Sequence, residues 1–77
     1  MRQGLSKREK EVAILVSMGY TDNEIAKKLY ISRRRVGEII SIIKKKWNVR
    51  SRVQIGIVAY HVGLVEWKNG GLLEKET

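Results

Sequence analysis

The chain contains no cysteine, so neither a disulfide framework nor a thiolate zinc site holds it together, and a reducing compartment is permitted. Its one histidine, His61, has no second metal ligand and no nucleophile paired with a base around it. Catalysis needs at least an acid and a base gathered in a pocket, so neither an enzyme nor a metal or other cofactor is expected. No apolar run approaches the roughly 18 residues of a membrane-spanning helix. The first ten residues, MRQGLSKREK, lack the apolar centre of a signal peptide. A soluble cytoplasmic protein with no membrane partner is the expectation. Strand alternation, internal repeats and low-complexity segments are also missing, and an all-α domain follows.

Acidic residues are scarce: 8 stand against 16 Lys and Arg, for a formal charge of +8 on 77 residues. The imbalance is local. Residues 53–77 carry two lysines against three glutamates, a net of −1, so residues 1–52 hold +9. Between Arg33 and Arg52 there are eight cations and one acid, Glu38. Charge gathered on one part of a small domain points to a polyanion-binding face. A chain this short buries only about 60–65% of its unfolded surface, so it needs well-packed helices or a partner subunit, and its size is compatible with a dimer.

The ends of four helices can be marked. Ser6 with Glu9, and Thr21 with Glu24, have the spacing of capping boxes, in which each side chain satisfies the other's backbone amide. They open helices over about 7–18, closed by Gly19, and about 22–29, whose buried stripe is Ile25, Ala26 and Leu29. Tyr30, Ile31 and Ser32 form a turn in which Ile31 plugs the gap and Ser32 caps a third helix over about 33–47. On that helix Val36, Ile40, Ile43 and Trp47 share a narrow arc, and the opposite arc is Arg34, Glu38, Ser41 and Lys45, flanked by Arg35, Gly37 and Ile42. Ser51 caps a fourth helix that runs to about Val62 before Gly63. Ile55, Ala59 and Val62 close the core, which leaves Val53, Ile57 and Tyr60 as a second stripe, for a partner or for cover by Leu64 and Trp67 of the tail. Gly70-Gly71 then reads as a chain break, and LLEKET as frayed.

Two helices joined by a tight turn, the second loaded with cations, have the layout of a DNA-reading helix-turn-helix. Arg33, Arg34 and Arg35 open the third helix, where an arginine fork can hold guanine O6 and N7 or clamp a phosphate. By wheel position Arg34 reads bases, and Arg33 and Arg35 touch phosphate. Glu38 either accepts from a cytosine amine or pairs with Arg34 or Arg35, and the two roles are compatible. Thr21, Asn23 and Ser32 lie at helix N-termini, where free amides seat phosphate. Lys44, Arg50 and Arg52 border the far end as phosphate-positioning cations, and Lys45 lies on the groove-facing arc.

The segments LSKREKEV, YTDNEIAKKLYIS and KKWNVRSR, with a valine four residues after the serine and GLV downstream, resemble the GerE/LuxR-type DNA-binding domain over about residues 5–65. The resemblance implies a four-helix domain over 1–65 with a tail over 66–77, the third helix in the major groove of double-stranded DNA, and dimerisation through the fourth helix. Val53, Ile57, Tyr60 and His61 would then form the dimer interface. Because little precedes Leu5, the chain resembles stand-alone members without a receiver or autoinducer domain. Base-reading positions carry Gly37, Glu38 and Ser41 here, and Arg35 and Ile39 replace the usual Thr and His. ISRRRVGEII is also similar to the recognition helix of sigma factor region four, but that likeness ends near Trp47. The expected function is a sequence-specific transcription regulator acting as a homodimer. The alternatives are a helix-turn-helix-shaped module that grips RNA polymerase, a sigma factor or another regulator, and non-specific DNA coating.

Overall fold

In the computed structural model, which describes residues 4–75, four helices are followed by a hairpin: α1 Lys7–Ser17, α2 Asp22–Leu29, α3 Arg33–Trp47, α4 Arg52–His61, β1 Val65–Lys68 and β2 Gly71–Glu74. Each helix opens on the hydroxyl that the sequence places there. Ser6 Oγ accepts from Glu9 N at 3.2 Å while Glu9 Oε1 accepts from Ser6 N at 2.9 Å. Thr21 and Glu24 make the same exchange at 3.2 and 2.8 Å. Ser32 Oγ takes the Arg35 amide at 3.0 Å, and Ser51 Oγ the Gln54 amide at 3.2 Å. Such a cap is worth about 1 kcal/mol, which matters in helices of 8 to 15 residues.

The core is one apolar cluster, and no polar or charged residue is buried among the described ones. Val12, Ile25, Val36, Ile43 and Ile55 are wholly enclosed. Each contributes about 1.5–3 kcal/mol by leaving water. α1 lies against α4 and α3, while α2 packs on α3 as the two arms of the helix-turn-helix. The α1–α4 approach is close: a Cβ at Gly56 would stand 3.6 Å from Ser17 Cα and Cβ. Ile31 packs partly buried against the cluster, as its place in the turn predicts. Ile39 is 1% exposed and belongs to the core as well, which the narrow arc Val36, Ile40, Ile43 and Trp47 leaves out. It sits at the arc's edge, on a helix that packs against both α1 and α2.

The tail departs from expectation. Far from breaking at Gly70-Gly71, the chain folds back as an antiparallel hairpin, pairing Val65 with Glu74, Glu66 with Leu73, Trp67 with Leu72 and Lys68 with Gly71. The turn is Asn69-Gly70, with φ 54° and 77°. That dipeptide is the usual two-residue hairpin turn, because both residues tolerate positive φ. With only four residues in each strand, the alternation is too short to count from sequence. Val65 is buried at 2%, and Lys75 N donates to Leu64 O at 3.0 Å, so the hairpin base is tied to the domain. Of the frayed segment, Glu76 and Thr77 lie outside the described residues. No helix is long and apolar enough to cross a membrane among the described residues.

Candidate nucleic-acid interface

The outer face of α3 is made by helical phase. Val36, Ile39, Ile40, Ile43 and Trp47 turn inward, so Arg34, Glu38, Ser41 and Lys45 are exposed on the other side. The Arg34 side chain is 91% exposed and Glu38 51%. Glu38 holds both neighbouring arginines, with Oε2 at 3.8 Å from Arg34 Nε and Oε1 at 3.4 Å from Arg35 Nη1. The intrahelical pairing expected of this acid is therefore formed. Gly37 leaves a bare step beside it, since nothing lies within 4 Å of where a Cβ would be.

The N-terminal turn of α2 adds a second component. Gly19, Tyr20, Thr21, Asp22, Asn23, Arg33 and Arg52 line an open depression of about 400 Å³. Four residues expected to touch phosphate, Thr21, Asn23, Arg33 and Arg52, thus converge from three parts of the chain. Arg35 stands apart from that depression, next to Glu38. At the other end of α3, Lys44 is half-buried, and Arg50 is exposed with its backbone amide donating to Gln54 Oε1 at 2.6 Å.

Two cations have structural partners that sequence reasoning misses. Arg52 donates to Asp22 Oδ1 and, at 2.8 Å, to Tyr20 O, which pins the start of α4 to the start of α2. Lys46 donates to Glu9 Oε1 at 2.8 Å and ties α3 to α1. The Lys46 ammonium and the Ser6 amide hold the Glu9 carboxyl below the usual carboxylate range. The Thr21 amide and hydroxyl lower that of Glu24. These partners are some thirty or more residues apart in the chain, and no local pattern announces them.

On the far side, Val53, Ile57 and Tyr60 of α4 are 73%, 62% and 54% exposed, and His61 is exposed beside them. The tail does not cover this stripe. Leu72 borders it along a groove with Val16, Val53, Gly56, Ile57 and Tyr60, whereas Trp67 remains 64% exposed. Among the described residues no cluster of His, Cys, Asp and Glu could hold a metal ion.

Residues 3–59 match the family described as bacterial regulatory proteins, luxR family. The chain belongs to the luxR family of bacterial regulatory proteins. The match spans all of α1, α2 and α3 and most of α4, and leaves the hairpin outside. Among curated relatives, the chain is similar to the response regulator protein VraR of Staphylococcus aureus, Staphylococcus saprophyticus and Staphylococcus epidermidis, in each case 34% identical over 62 residues. Those residues are 80% of this chain but 30% of each relative, so the chain spans about a third of their length. Within that family match, α2 and α3 form a helix-turn-helix whose outer face is cationic.

Proposed function

We propose that the chain binds double-stranded DNA sequence-specifically, with α3 in the major groove, and does so as a homodimer joined through α4. The observation that carries this reading is the exposed Arg34, at the start of the second helix of the helix-turn-helix, beside the depression that gathers Thr21, Asn23, Arg33 and Arg52. Phosphate contacts around that depression fix the register of the helix on the duplex, while Arg34, Ser41 and Lys45 meet base edges along the groove. Glu38 holds Arg34 and Arg35 until phosphate or guanine replaces it, or accepts from a cytosine amine. The stripe Val53, Ile57 and Tyr60 supplies a small self-complementary interface, so two subunits read two half-sites about one helical turn apart.

A second reading has one observation in its favour. Gly37 leaves a bare step in the middle of the reading face, and such a surface suits a protein partner, whether RNA polymerase, a sigma factor or another regulator. Selection of bound duplexes from a random pool, with a salt titration of the selected site, decides between the two. An enriched motif with two related halves is expected. Salt-sensitive binding with no enriched motif would leave only non-specific coating, and no duplex binding at all would favour the protein partner.

A further inference from the structure

Seven of the described residues hold a left-handed backbone, and six of them are Gly4, Gly19, Gly63, Gly70, Asn48 and Asn69. Glycine and asparagine adopt that conformation readily. The seventh is Tyr30, with φ 56° and ψ 42°, where a bulky L side chain is strained.

No polar or ring contact of the side chain offsets that strain among the described residues. The Tyr30 side chain is 93% exposed, the most exposed large apolar residue described, and no hydrogen bond or ring contact of it is formed among the described residues. Tyr20 is the contrast: it is half-buried, with Lys28 Nζ 4.8 Å from its ring centre. The backbone of Tyr30 is well held, because its amide and that of Ile31, at 3.1 Å, both donate to Ala26 O. A strained residue fixed by its surroundings and unsupported by contacts of its own is the pattern of a functional position. This one stands two residues before the Ser32 cap and three before Arg33, beside the turn of α3 where the reading face begins.

We infer that Tyr30 is a DNA-contact residue whose phenol hydroxyl donates to a backbone phosphate at the rim of the groove that α3 enters, the left-handed turn holding the ring outward. The inference rests on the DNA-binding reading above. Tyrosine is among the side chains that bond phosphate oxygens. Being uncharged, it displaces no counterion, so its contribution is independent of salt.

The test compares the full chain with Tyr30→Gly, Tyr30→Asn and Tyr30→Phe by anisotropy on selected and scrambled duplexes at several salt concentrations, beside thermal melts. Gly and Asn accept the turn, so those two variants should melt at or above the wild-type temperature while binding both duplexes about tenfold more weakly. Their salt slopes should equal that of the wild type. Tyr30→Phe, which keeps the ring and loses the donor, should share the loss. Wild-type affinity in Tyr30→Gly or Tyr30→Phe overturns the contact while the DNA-binding reading stands. A wild-type chain that binds neither duplex overturns both.

Discussion

The outer faces of α3 and α4 are both uncovered, yet they have opposite chemistry. On α3 the exposed arc holds Arg34, Glu38, Ser41 and Lys45, with a glycine step beside them, while on α4 it holds Val53, Ile57 and Tyr60. Both helices also send a full apolar stripe into the same core. What remains outside takes no part in that core, and the partner proposed for each helix follows from its chemistry. A charged face suits a polyanion, and a stripe of large apolar side chains suits a copy of itself.

The contrast breaks most visibly at Ile57. Ile57→Glu places two carboxylates near the proposed twofold axis without touching Ile55 or Ala59, so the chain should stay folded and bind a half-site nearly as before. On the full site its affinity should fall about 100-fold or more, the advantage of joining two half-site contacts. Sedimentation with both duplexes reads this out, and a wild-type one-to-one complex on the full site would remove the dimer. On the other face, Arg34→Ala should cost about 1–3 kcal/mol on the selected site and little on scrambled DNA. Equal losses on both would make Arg34 a phosphate contact.

Two further cations sharpen the comparison. Lys44→Ala should weaken all sequences alike and reduce the salt slope by about one. Arg52→Ala should differ, because its guanidinium bridges α4 to Asp22 and Tyr20 O. Loss of that pin should lower thermal stability by roughly 1 kcal/mol in the absence of DNA. A melting temperature equal to wild type would return Arg52 to a purely phosphate-contacting role. The smallest effect concerns pH. Glu9 and Glu24 have folded-state values below the ordinary 4.5, so the stability they contribute is fully present above that value. It is lost as pH falls through the lowered folded-state values. Glu9→Gln should lower the melting temperature near neutrality, flatten the acid limb of the profile below pH 4.5 and converge on the wild type in acid. An identical acid limb in the mutant would show that the Lys46 pairing adds nothing.

Most of the helical domain is legible in the sequence because its signals are local. The cap hydroxyls Ser6, Thr21, Ser32 and Ser51 each sit immediately before the helix that they open. The buried arc of α3 recurs at helical spacing, and the exposure of its opposite arc follows. What escapes is of two kinds. The hairpin strands are four residues each, so Val65 and Trp67 offer too little alternation to stand out, and Asn69-Gly70 reads as easily as a break as a turn. The pairs Arg52–Asp22 and Lys46–Glu9 depend on where whole helices come to rest, and no spacing rule reaches across 30 or 37 residues. For that reason Arg52 looks like one more phosphate cation until the fold is known.

The acids of this domain serve as resident counterions. Of the eight cations from Arg33 to Arg52, four are matched within the chain: Arg34 and Arg35 by Glu38, Lys46 by Glu9 and Arg52 by Asp22. When one of these carboxylates is exchanged for a phosphate, the arginine or lysine changes anion without gaining one, and no net charge is neutralised in the step. Salt then opposes the complex less steeply than the full complement of eight would require at about 0.9 per phosphate neutralised. For the proposed complex, the general attraction for DNA is therefore smaller than the formal charge of the segment suggests.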